Sequence, residues 1–264
     1  MMYRQDGHLA PFRVDQLCDP VVFRFDRAET LPAPCGKCVA VQPNFRQYHH
    51  GDTQVRYLGQ TDDDWRNAYL RVEYGQENLA LVRSDRLPDR LGTHTVLEAL
   101  AAEHLITRNS GVLLHCAYIG WQKQAILFTA PSGTGKSTQA ALWQQFRGAE
   151  IINGDRAAIR HLNGKLYAEG VPFSGSSPYC KNVTLPLRAV VCLSQAPVTS
   201  IRKMRGYEAF SRIWEGIGVQ TWDKADVEAA SALVKTVAET IPVYSLPCTP
   251  DETAVLALEQ ALEG

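Results

Sequence analysis

The sequence has almost no excess of charge of either sign. Its 27 Lys and Arg residues against 28 Asp and Glu residues give a formal net charge of −1 over 264 residues. Without a basic excess the chain lacks the electrostatic footprint of proteins that bind nucleic acid or an anionic membrane surface, so we expect neither as a partner. No apolar run approaches the roughly 20 residues that a membrane-spanning helix needs, so no transmembrane segment is expected.

The sequence lacks the even, regularly spaced set of cysteines that a disulfide framework needs. The seven cysteines are an odd number, which favours reduced thiols over a disulfide framework. The first residues also lack the apolar core of a secretory signal, so we expect a cytoplasmic protein. Cys35 and Cys38 have CxxC spacing, and His49 and His50 could complete a zinc site with them. No second CxxC accompanies this pair, and ordinary thiols are the alternative that we favour.

The first part of the chain carries short strand-like segments that proline, glycine and aspartate separate. These segments cover residues 21–25, 38–41, 54–58, 69–74 and 79–82, and a connector over residues 86–92 follows them. We therefore predict a β-rich N-terminal domain over residues 1–90 and a second domain over residues 91–264.

The second part begins with a helix pattern and two apolar strands. Thr95 and Glu98 can form a capping box, and apolar residues at helical spacing follow them. Residues 111–119 and 125–129 predict two buried strands joined by a short turn, and residues 137–146 have helical character. The segment between the second strand and this helix is therefore a strand-to-helix connection.

That connection is a glycine-rich loop. It reads Ala130-Pro131-Ser132-Gly133-Thr134-Gly135-Lys136-Ser137-Thr138. This is the phosphate-binding pattern Gly/Ala-x-x-x-x-Gly-Lys-Ser, with alanine in the first glycine position. A strand that ends at such a loop and a helix that starts after it aim backbone N–H groups and the helix dipole at a phosphate. The alternative is a Gly/Ser/Thr-rich turn followed by a chance lysine, and it does not account for the flanking strand and helix.

Separate roles follow for the residues of this loop. Gly133 and Gly135 can supply unusual backbone angles and the close approach that an anion nest needs. Lys136 would reach the β- and γ-phosphates, and the Ser137 hydroxyl would ligate Mg²⁺. The predicted cofactors are therefore ATP and Mg²⁺, and the predicted nucleotide-binding residues are Pro131, Ser132, Gly133, Thr134, Gly135, Lys136, Ser137 and Thr138.

Asp155 is the candidate for the reacting carboxylate. A short strand leads to it, and Asn163-Gly164 between two strand-like segments is a strong hairpin signal, so Asp155 lies at the start of a β-hairpin. A carboxylate there could bind Mg²⁺ or take a proton from a hydroxyl nucleophile. A plain turn residue after Gly154 is the alternative.

These residues together resemble a known family, the HPr serine kinases, which belong to the phosphoenolpyruvate carboxykinase-like ATP-binding fold. The resemblance rests on Leu114-His115, the glycine-rich loop, Ile151-Ile152-Asn153-Gly154-Asp155 before a hairpin, and the later residues 170–175. It covers residues 95–195 well and the tail loosely. It implies an α/β fold with a mixed sheet and a P-loop, beside the smaller β-rich N-terminal part. It also implies Mg·ATP-dependent phosphorylation of a hydroxyl, usually a serine on a protein or peptide.

Within the resemblance, Asp155 matches the family's catalytic aspartate and His115 matches a histidine before the phosphate loop. We predict that Asp155 orients and deprotonates the acceptor, that Lys136 and Mg²⁺ offset phosphate charge, and that His115 assists by hydrogen bonding. A satisfied core histidine is the alternative for His115. Relatives without the HPr-binding parts resemble kinases encoded with peptide-maturation systems, so the acceptor stays open among a peptide, a protein and a small molecule.

Three departures from the family bear on activity. Ala130 replaces the first loop glycine, Gly154 stands where members often have the first of two aspartates, and no signature of the reverse, phosphate-removing reaction is visible. A kinase is therefore favoured over a phosphorylase. A regulatory or scaffold protein that binds ATP without turnover is the alternative. Carboxykinase-type decarboxylation ranks last, because no convincing metal-binding set of His, Lys and Asp is visible.

Other segments allow two interpretations each. Residues 174–177 form a substrate or phosphate loop, or a plain turn. Arg202, Lys203 and Arg205 could contact nucleotide or an acidic substrate, but a solvated face is the interpretation that we favour. Thr249 and Pro250 predict an N-cap and the first position of a last helix, and residues 226–237 predict another helix. The N-terminal part is a docking module for the acceptor or a surface for homo-oligomerisation.

Overall fold

The computed structural model describes residues 10–12, 23–43, 45–51, 53–58, 68–73, 78–83, 101–175 and 177–264. The chain forms two compact units, residues 1–102 and residues 103–264. The connector predicted over 86–92 and the capping box at Thr95 and Glu98 lie outside the described residues. The domain boundary predicted after residue 90 therefore stays a prediction.

The first unit contains a six-stranded sheet in the order β1-β6-β5-β4-β3-β2. Its described strands are β1 (Phe23–Ala28), β2 (Lys37–Val41), β3 (Phe45–His50), β4 (Thr53–Leu58), β5 (Ala68–Glu73) and β6 (Asn78–Arg83). Neighbouring strands are antiparallel except β1 and β6, which are parallel. The buried Tyr57 ring on β4 packs edge-on against Tyr48. The Tyr57 hydroxyl donates a hydrogen bond to the Pro32 carbonyl at 2.9 Å. The five predicted strands overlap observed ones, whereas β3 was not predicted.

The second unit is a mixed α/β structure. Its described strands form a nine-stranded sheet whose main path is β11-β10-β7-β8-β12-β15-β13, with β9 and β14 paired to β7. The strands are β7 (Gly111–Trp121), β8 (Gln124–Thr129), β9 (Glu150–Asn153), β10 (Arg156–Leu162), β11 (Lys165–Gly170), β12 (Thr184–Gln195), β13 (Arg202–Met204), β14 (Ile217–Gly218) and β15 (Val243–Cys248). Strand β12 runs parallel to both β8 and β15, whereas β7 is antiparallel to β8. The sheet is therefore mixed, as the resemblance implied.

Helices cover both faces of this sheet. They are α1 (Ala102–Arg108), α2 (Lys136–Arg147), α3 (Gly206–Trp214), α4 (Lys224–Thr240) and α5 (Glu252–Glu263). Strand β8 alternates its side chains between two cores, with Leu127 in the core under α3 and α4 and Ile126 and Phe128 in the core under α2 and α5. Burial on both faces explains why this strand is continuously apolar. No described helix has the length and hydropathy needed to cross a membrane.

The N-cap predicted at Thr249 is wrong. Helix α5 begins at Glu252, and its cap is Asp251, whose side chain accepts from the Thr253 amide at 2.9 Å. The Thr249 hydroxyl lies 3.0 Å from the Thr199 hydroxyl instead, so it does not cap the helix. Helix α4 extends beyond the predicted residues 226–237, and its cap is Asp223. Helix α3 and strands β12, β13, β14 and β15 were not predicted.

Candidate active site

The glycine-rich loop, residues 130–138, leads from the end of β8 into α2. Gly133 and Gly135 have φ angles of 77° and 117°, which favour glycine. An added Cβ at either position would meet nothing within 4 Å, so the backbone angle and not crowding demands glycine there. Gly135 is the N-cap of α2 and no side chain caps this end. Such a helix terminus has unpaired N–H groups that suit an anion.

Lys136 folds back over the loop that precedes it. Its Nζ donates hydrogen bonds to the Ala130 carbonyl at 2.9 Å and to the Pro131 carbonyl at 3.3 Å. Burial lowers the pKa of Lys136, and the negative charge of Asp155 acts in the opposite direction. The ammonium therefore lies inside the curve of the loop, where a bound phosphate would meet it.

Asp155 lies in the turn between β9 and β10, beside His115 of β7. One carboxylate oxygen is 3.4 Å from His115 Nε2, and the other is 3.2 Å from Arg156 Nε. The hydrogen bond with His115 is the main cause that lowers the pKa of Asp155, and the charge of Arg156 adds to it, while burial opposes both. His115 is 40% exposed, so it is not a buried core histidine.

Asn153 holds the turn that carries Asp155. Its buried Oδ1 accepts hydrogen bonds from the amides of Asp155 at 2.9 Å and Arg156 at 3.0 Å. Its Nδ2 donates to the carbonyls of Val171 at 2.9 Å and Phe173 at 2.8 Å. One side-chain amide thus joins the Asp155 turn to the segment after β11. Sequence reasoning assigned Asn153 no role, although asparagine before a turn is a known signal for this bonding pattern.

Gly154 lacks room for a side chain. A Cβ there would lie 2.1 Å from Ser177 Oγ, so Ser177 fills the space that a second acid would need. Gly175 is equally close to the site, since its added Cβ would lie 3.0 Å from Asp155 Cγ. Gly175 therefore lies against Asp155, and Ser177 lies against Gly154.

Most of the predicted site residues surround one cavity of ≈ 500 Å³. Its lining includes His115, Asp155, Gly154, Ser174, Ser177, and the loop residues Ser132, Gly133, Gly135, Lys136, Ser137 and Thr138. A second cavity of ≈ 620 Å³ shares Gly133, Gly135 and Thr138 with the first, and it is also lined by Thr134. Pro131 lines neither of these cavities but a third one of ≈ 180 Å³, which His115 also lines.

The oxygen atoms in the 500 Å³ cavity suit a hard cation. The Ser137 hydroxyl and the Asp155 carboxylate line the same space. Mg²⁺ is usually held by one or two protein oxygens together with waters and substrate phosphates. Ser137 and Asp155 are therefore a chemically suitable pair for the predicted magnesium.

One group of three potential metal ligands occurs among the described residues, and it lies elsewhere. His104, Asp223 and Asp226 place one ligand atom each within 4.8 Å of one another. The Arg108 guanidinium lies 3.3 Å from the Asp223 carboxylate and 3.1 Å from the Asp226 carboxylate, so its positive charge offsets theirs without a metal ion. In the described part of the first unit, Cys35, Cys38, His49 and His50 form no such group, so the zinc hypothesis gains no support.

Three comparisons with known proteins leave the family open. No family model matches the sequence, and no curated protein matches it. Among solved structures, the Hpr(Ser) kinase/phosphatase from Coxiella burnetii is similar at 14% identity and a TM-score of 0.35, over 58% of this chain and 93% of that chain. A likeness at this level establishes neither family membership nor activity.

Proposed function

We propose that the protein is a Mg·ATP-dependent kinase that transfers the γ-phosphoryl group to a hydroxyl, such as a serine or threonine of a peptide or protein. One observation carries this proposal. Lys136 and Ser137 of the glycine-rich loop share a single cavity with the hydrogen-bonded pair of His115 and Asp155. A group suited to hold phosphate and a group suited to receive a proton thus lie around the same space.

In this proposal ATP would occupy both large cavities. The loop amides hold the phosphates, and Lys136 exchanges its bonds to the Ala130 and Pro131 carbonyls for phosphate oxygens. The 620 Å³ cavity would hold the nucleoside, and the residues that line the 500 Å³ cavity would surround the γ-phosphoryl group. Ser137 and Asp155 would hold Mg²⁺, which would supply positive charge that offsets the phosphate oxygens.

Asp155 acts on the acceptor. Its lowered pKa keeps it ionised at neutral pH, so it accepts a hydrogen bond from the acceptor hydroxyl and orients the oxygen at the γ-phosphorus. A bond forms between that oxygen and phosphorus as the bond to the β,γ-bridging oxygen breaks, ADP leaves, and the hydroxyl proton passes to Asp155. His115 and Arg156 fix the carboxylate for this step.

A second candidate function is ATP binding without turnover. Ser177 fills the space beside Gly154, so the site has one carboxylate where the resembling family often has two. This observation favours a module that binds nucleotide for regulation. Both candidates require nucleotide binding, and they differ only in phosphoryl transfer.

Transfer of radiolabelled γ-phosphate from ATP distinguishes the kinase from the protein that binds ATP without turnover. Wild type, Lys136→Ala, Asp155→Asn and the control Glu208→Gln, which removes an exposed ion-paired carboxylate outside the cavities, are incubated with labelled ATP, Mg²⁺ and cell extract. We expect a labelled acceptor with wild type and Glu208→Gln, loss of nucleotide binding in Lys136→Ala, and about 10²–10⁴-fold slower transfer with retained binding in Asp155→Asn. Nucleotide binding without any labelled product would favour the regulatory function. Wild type that binds no nucleotide would contradict both.

A further inference from the structure

Gln139 of α2 is a buried glutamine whose amide nitrogen has no partner. The residue is 2% exposed, and its Nε2 has no hydrogen-bond partner among the described residues. A buried donor without an acceptor destabilises the folded chain, whereas an apolar side chain of similar shape would not. The fold therefore keeps a destabilising group at this position, and packing alone does not explain it.

This glutamine lines the 620 Å³ cavity, where the proposed function places the nucleoside. Residues three apart on a helix are neighbours, so Gln139 lies next to Lys136 along α2, one turn further from the glycine-rich loop. It does not line the 500 Å³ cavity that would surround the γ-phosphoryl group. Its unpartnered donor is thus beside the space for the nucleoside and not beside the space for the reacting phosphate.

The wall of the cavity beyond the loop is mostly apolar. Leu193 of β12, Ala196 after that strand, Cys248 at the end of β15 and Pro250 line it. The Ala196 amide donates a hydrogen bond to the Cys248 carbonyl at 3.2 Å, which ties the two strand ends together. Small-molecule sites combine such apolar walls with a few placed polar groups that fix the orientation of the ligand. Among the described lining residues, Gln139 is the polar side chain that is buried.

A primary amide distinguishes the two purine bases by their hydrogen-bonding edges. The glutamine amide has a carbonyl oxygen that accepts and an NH₂ group that donates. Adenine presents the N6 amino donor beside the N7 acceptor, so one glutamine can bind both atoms. Guanine presents two acceptors, O6 and N7, so the same amide would set its own oxygen against O6. The amide therefore matches adenine and disfavours guanine.

We propose that Gln139 binds the adenine of the nucleotide, with Nε2 donating to N7 and Oε1 accepting from the N6 amino group. The base lies along the apolar wall, and the phosphates extend from it to the glycine-rich loop. This inference rests on the proposed function and adds the group that selects ATP over GTP. Gln139 sets the choice of nucleotide and takes no part in phosphoryl transfer.

Calorimetry with the Mg²⁺ complexes of ATP, GTP, 7-deaza-ATP and tripolyphosphate tests this inference. We expect wild type to bind ATP about 10–100-fold more tightly than GTP, because a bidentate pair between glutamine and adenine discriminates to this extent. ATP should also bind more tightly than 7-deaza-ATP, which lacks the N7 acceptor. In Gln139→Leu the three nucleotides should bind with similar Kd, whereas the Kd of tripolyphosphate, which has no base, should not change. The matched control Gln145→Leu alters an exposed glutamine of the same helix outside the three cavities and should bind as wild type does.

Thermal unfolding without nucleotide gives a second measurement. Gln139→Leu removes an unpartnered buried donor, so its unfolding midpoint should equal or exceed that of wild type. A lower midpoint would show that the amide stabilises the protein itself and would overturn the premise of the inference. The comparison of ATP with GTP and 7-deaza-ATP needs wild type alone, so it decides the question even if the variant fails to fold.

The outcomes separate this inference from the kinase function. Equal binding of ATP, GTP and 7-deaza-ATP by wild type, or an unchanged preference for ATP in Gln139→Leu, would overturn the inference and leave the kinase function standing. Adenine binding that depends on Gln139, without phosphoryl transfer to any acceptor, would overturn the kinase function alone.

Discussion

Asn153 connects two segments of the candidate site through one buried amide. Its two oxygen lone pairs and two N–H donors are all used, by the Asp155 turn on one side and by the 171–173 backbone on the other. A short side chain cannot reach both, and an acid cannot donate to the two carbonyls. Asn153 is therefore a positioning residue for Asp155.

Asn153→Ala should lower the free energy of unfolding by roughly 2–4 kcal/mol, because each buried group left without a partner costs about 1–3 kcal/mol. Urea unfolding measures this effect. The control Asn109→Ala removes an exposed amide bound to the Leu105 carbonyl and should cost less than about 1 kcal/mol. Equal losses in the two variants would contradict the positioning role.

The ionisation of Asp155 depends on His115. A hydrogen bond to the carboxylate favours the charged form, so its removal in His115→Ala should raise the pKa of Asp155. In wild type, the lowered pKa adds stability above the pKa of the unfolded chain, and this stability is lost as pH falls through the folded pKa. NMR titration of the Asp155 side-chain carbon measures the shift, and the exposed His161→Ala should leave it unchanged. A carboxyl pKa that stays the same in His115→Ala would show that the contact is incidental.

Residues of the candidate site differ in how far the sequence predicts them. The glycine-rich loop and Asp155 were predicted because their chemistry depends on neighbours in the chain: a strand before, a helix or hairpin after. Asn153 was assigned no role, and Ser177 was predicted only as part of a substrate or phosphate loop or of a plain turn. Each meets its partners through folding, as Ser177 does at Gly154, and no local spacing encodes that contact.

At the scale of elements, a buried side-chain contact joins α1 to α4. His104 Nδ1 lies 2.6 Å from Asp226 Oδ2, and the two side chains are 1% and 0% exposed. Both helices belong to the second unit, so the pair is a fixed link within it. Arg108 extends the link to Asp223, the cap of α4.

His104→Ala should destabilise the second unit by about 3–5 kcal/mol, because it leaves a buried carboxylate without one of its partners. Thermal unfolding followed by circular dichroism measures the loss. The same substitution at the exposed His161 is the matched control and should have little effect. A small change in His104→Ala would mean that Arg108 alone balances Asp226.

The predicted and missed elements differ in their sequence pattern. Strands β7 and β8 were predicted because most of their residues are apolar and buried, and His115 is the polar, half-exposed residue within β7. Strand β3, Phe45–His50, contains arginine, glutamine and two histidines, so its sequence lacks an apolar strand pattern. It is a strand because its backbone pairs with β2 and β4. The cap of α5 was predicted at Thr249 but lies at Asp251. The Thr249 hydroxyl contacts the Thr199 hydroxyl instead, and the two residues are 50 positions apart in the sequence.

At the scale of the whole molecule, the candidate site belongs to one unit. Every residue that lines the three cavities lies between residues 103 and 264. Nucleotide binding therefore should not need the six-stranded sheet of the first unit. That the first unit docks the acceptor or mediates homo-oligomerisation stays a prediction.

A chain of residues 91–264 should unfold cooperatively and bind ATP with a Kd within about threefold of the full chain, a difference below about 1 kcal/mol. Calorimetry on both chains measures this. The same chain with Lys136→Ala is the control and should not bind. If residues 91–264 fold but fail to bind ATP, the first unit contributes to the nucleotide site.

The two Asn-Gly sequences of the chain should deamidate at different rates during storage. At such bonds the glycine nitrogen attacks the side-chain amide, ammonia leaves, and a succinimide opens to aspartate or isoaspartate. Asn163-Gly164 is exposed at the tip of the β10–β11 hairpin, whereas the amide of Asn153 before Gly154 is buried and held by four hydrogen bonds. Stored protein should therefore gain negative charge at Asn163 first. Deamidation of Asn153 should require unfolding of the candidate site.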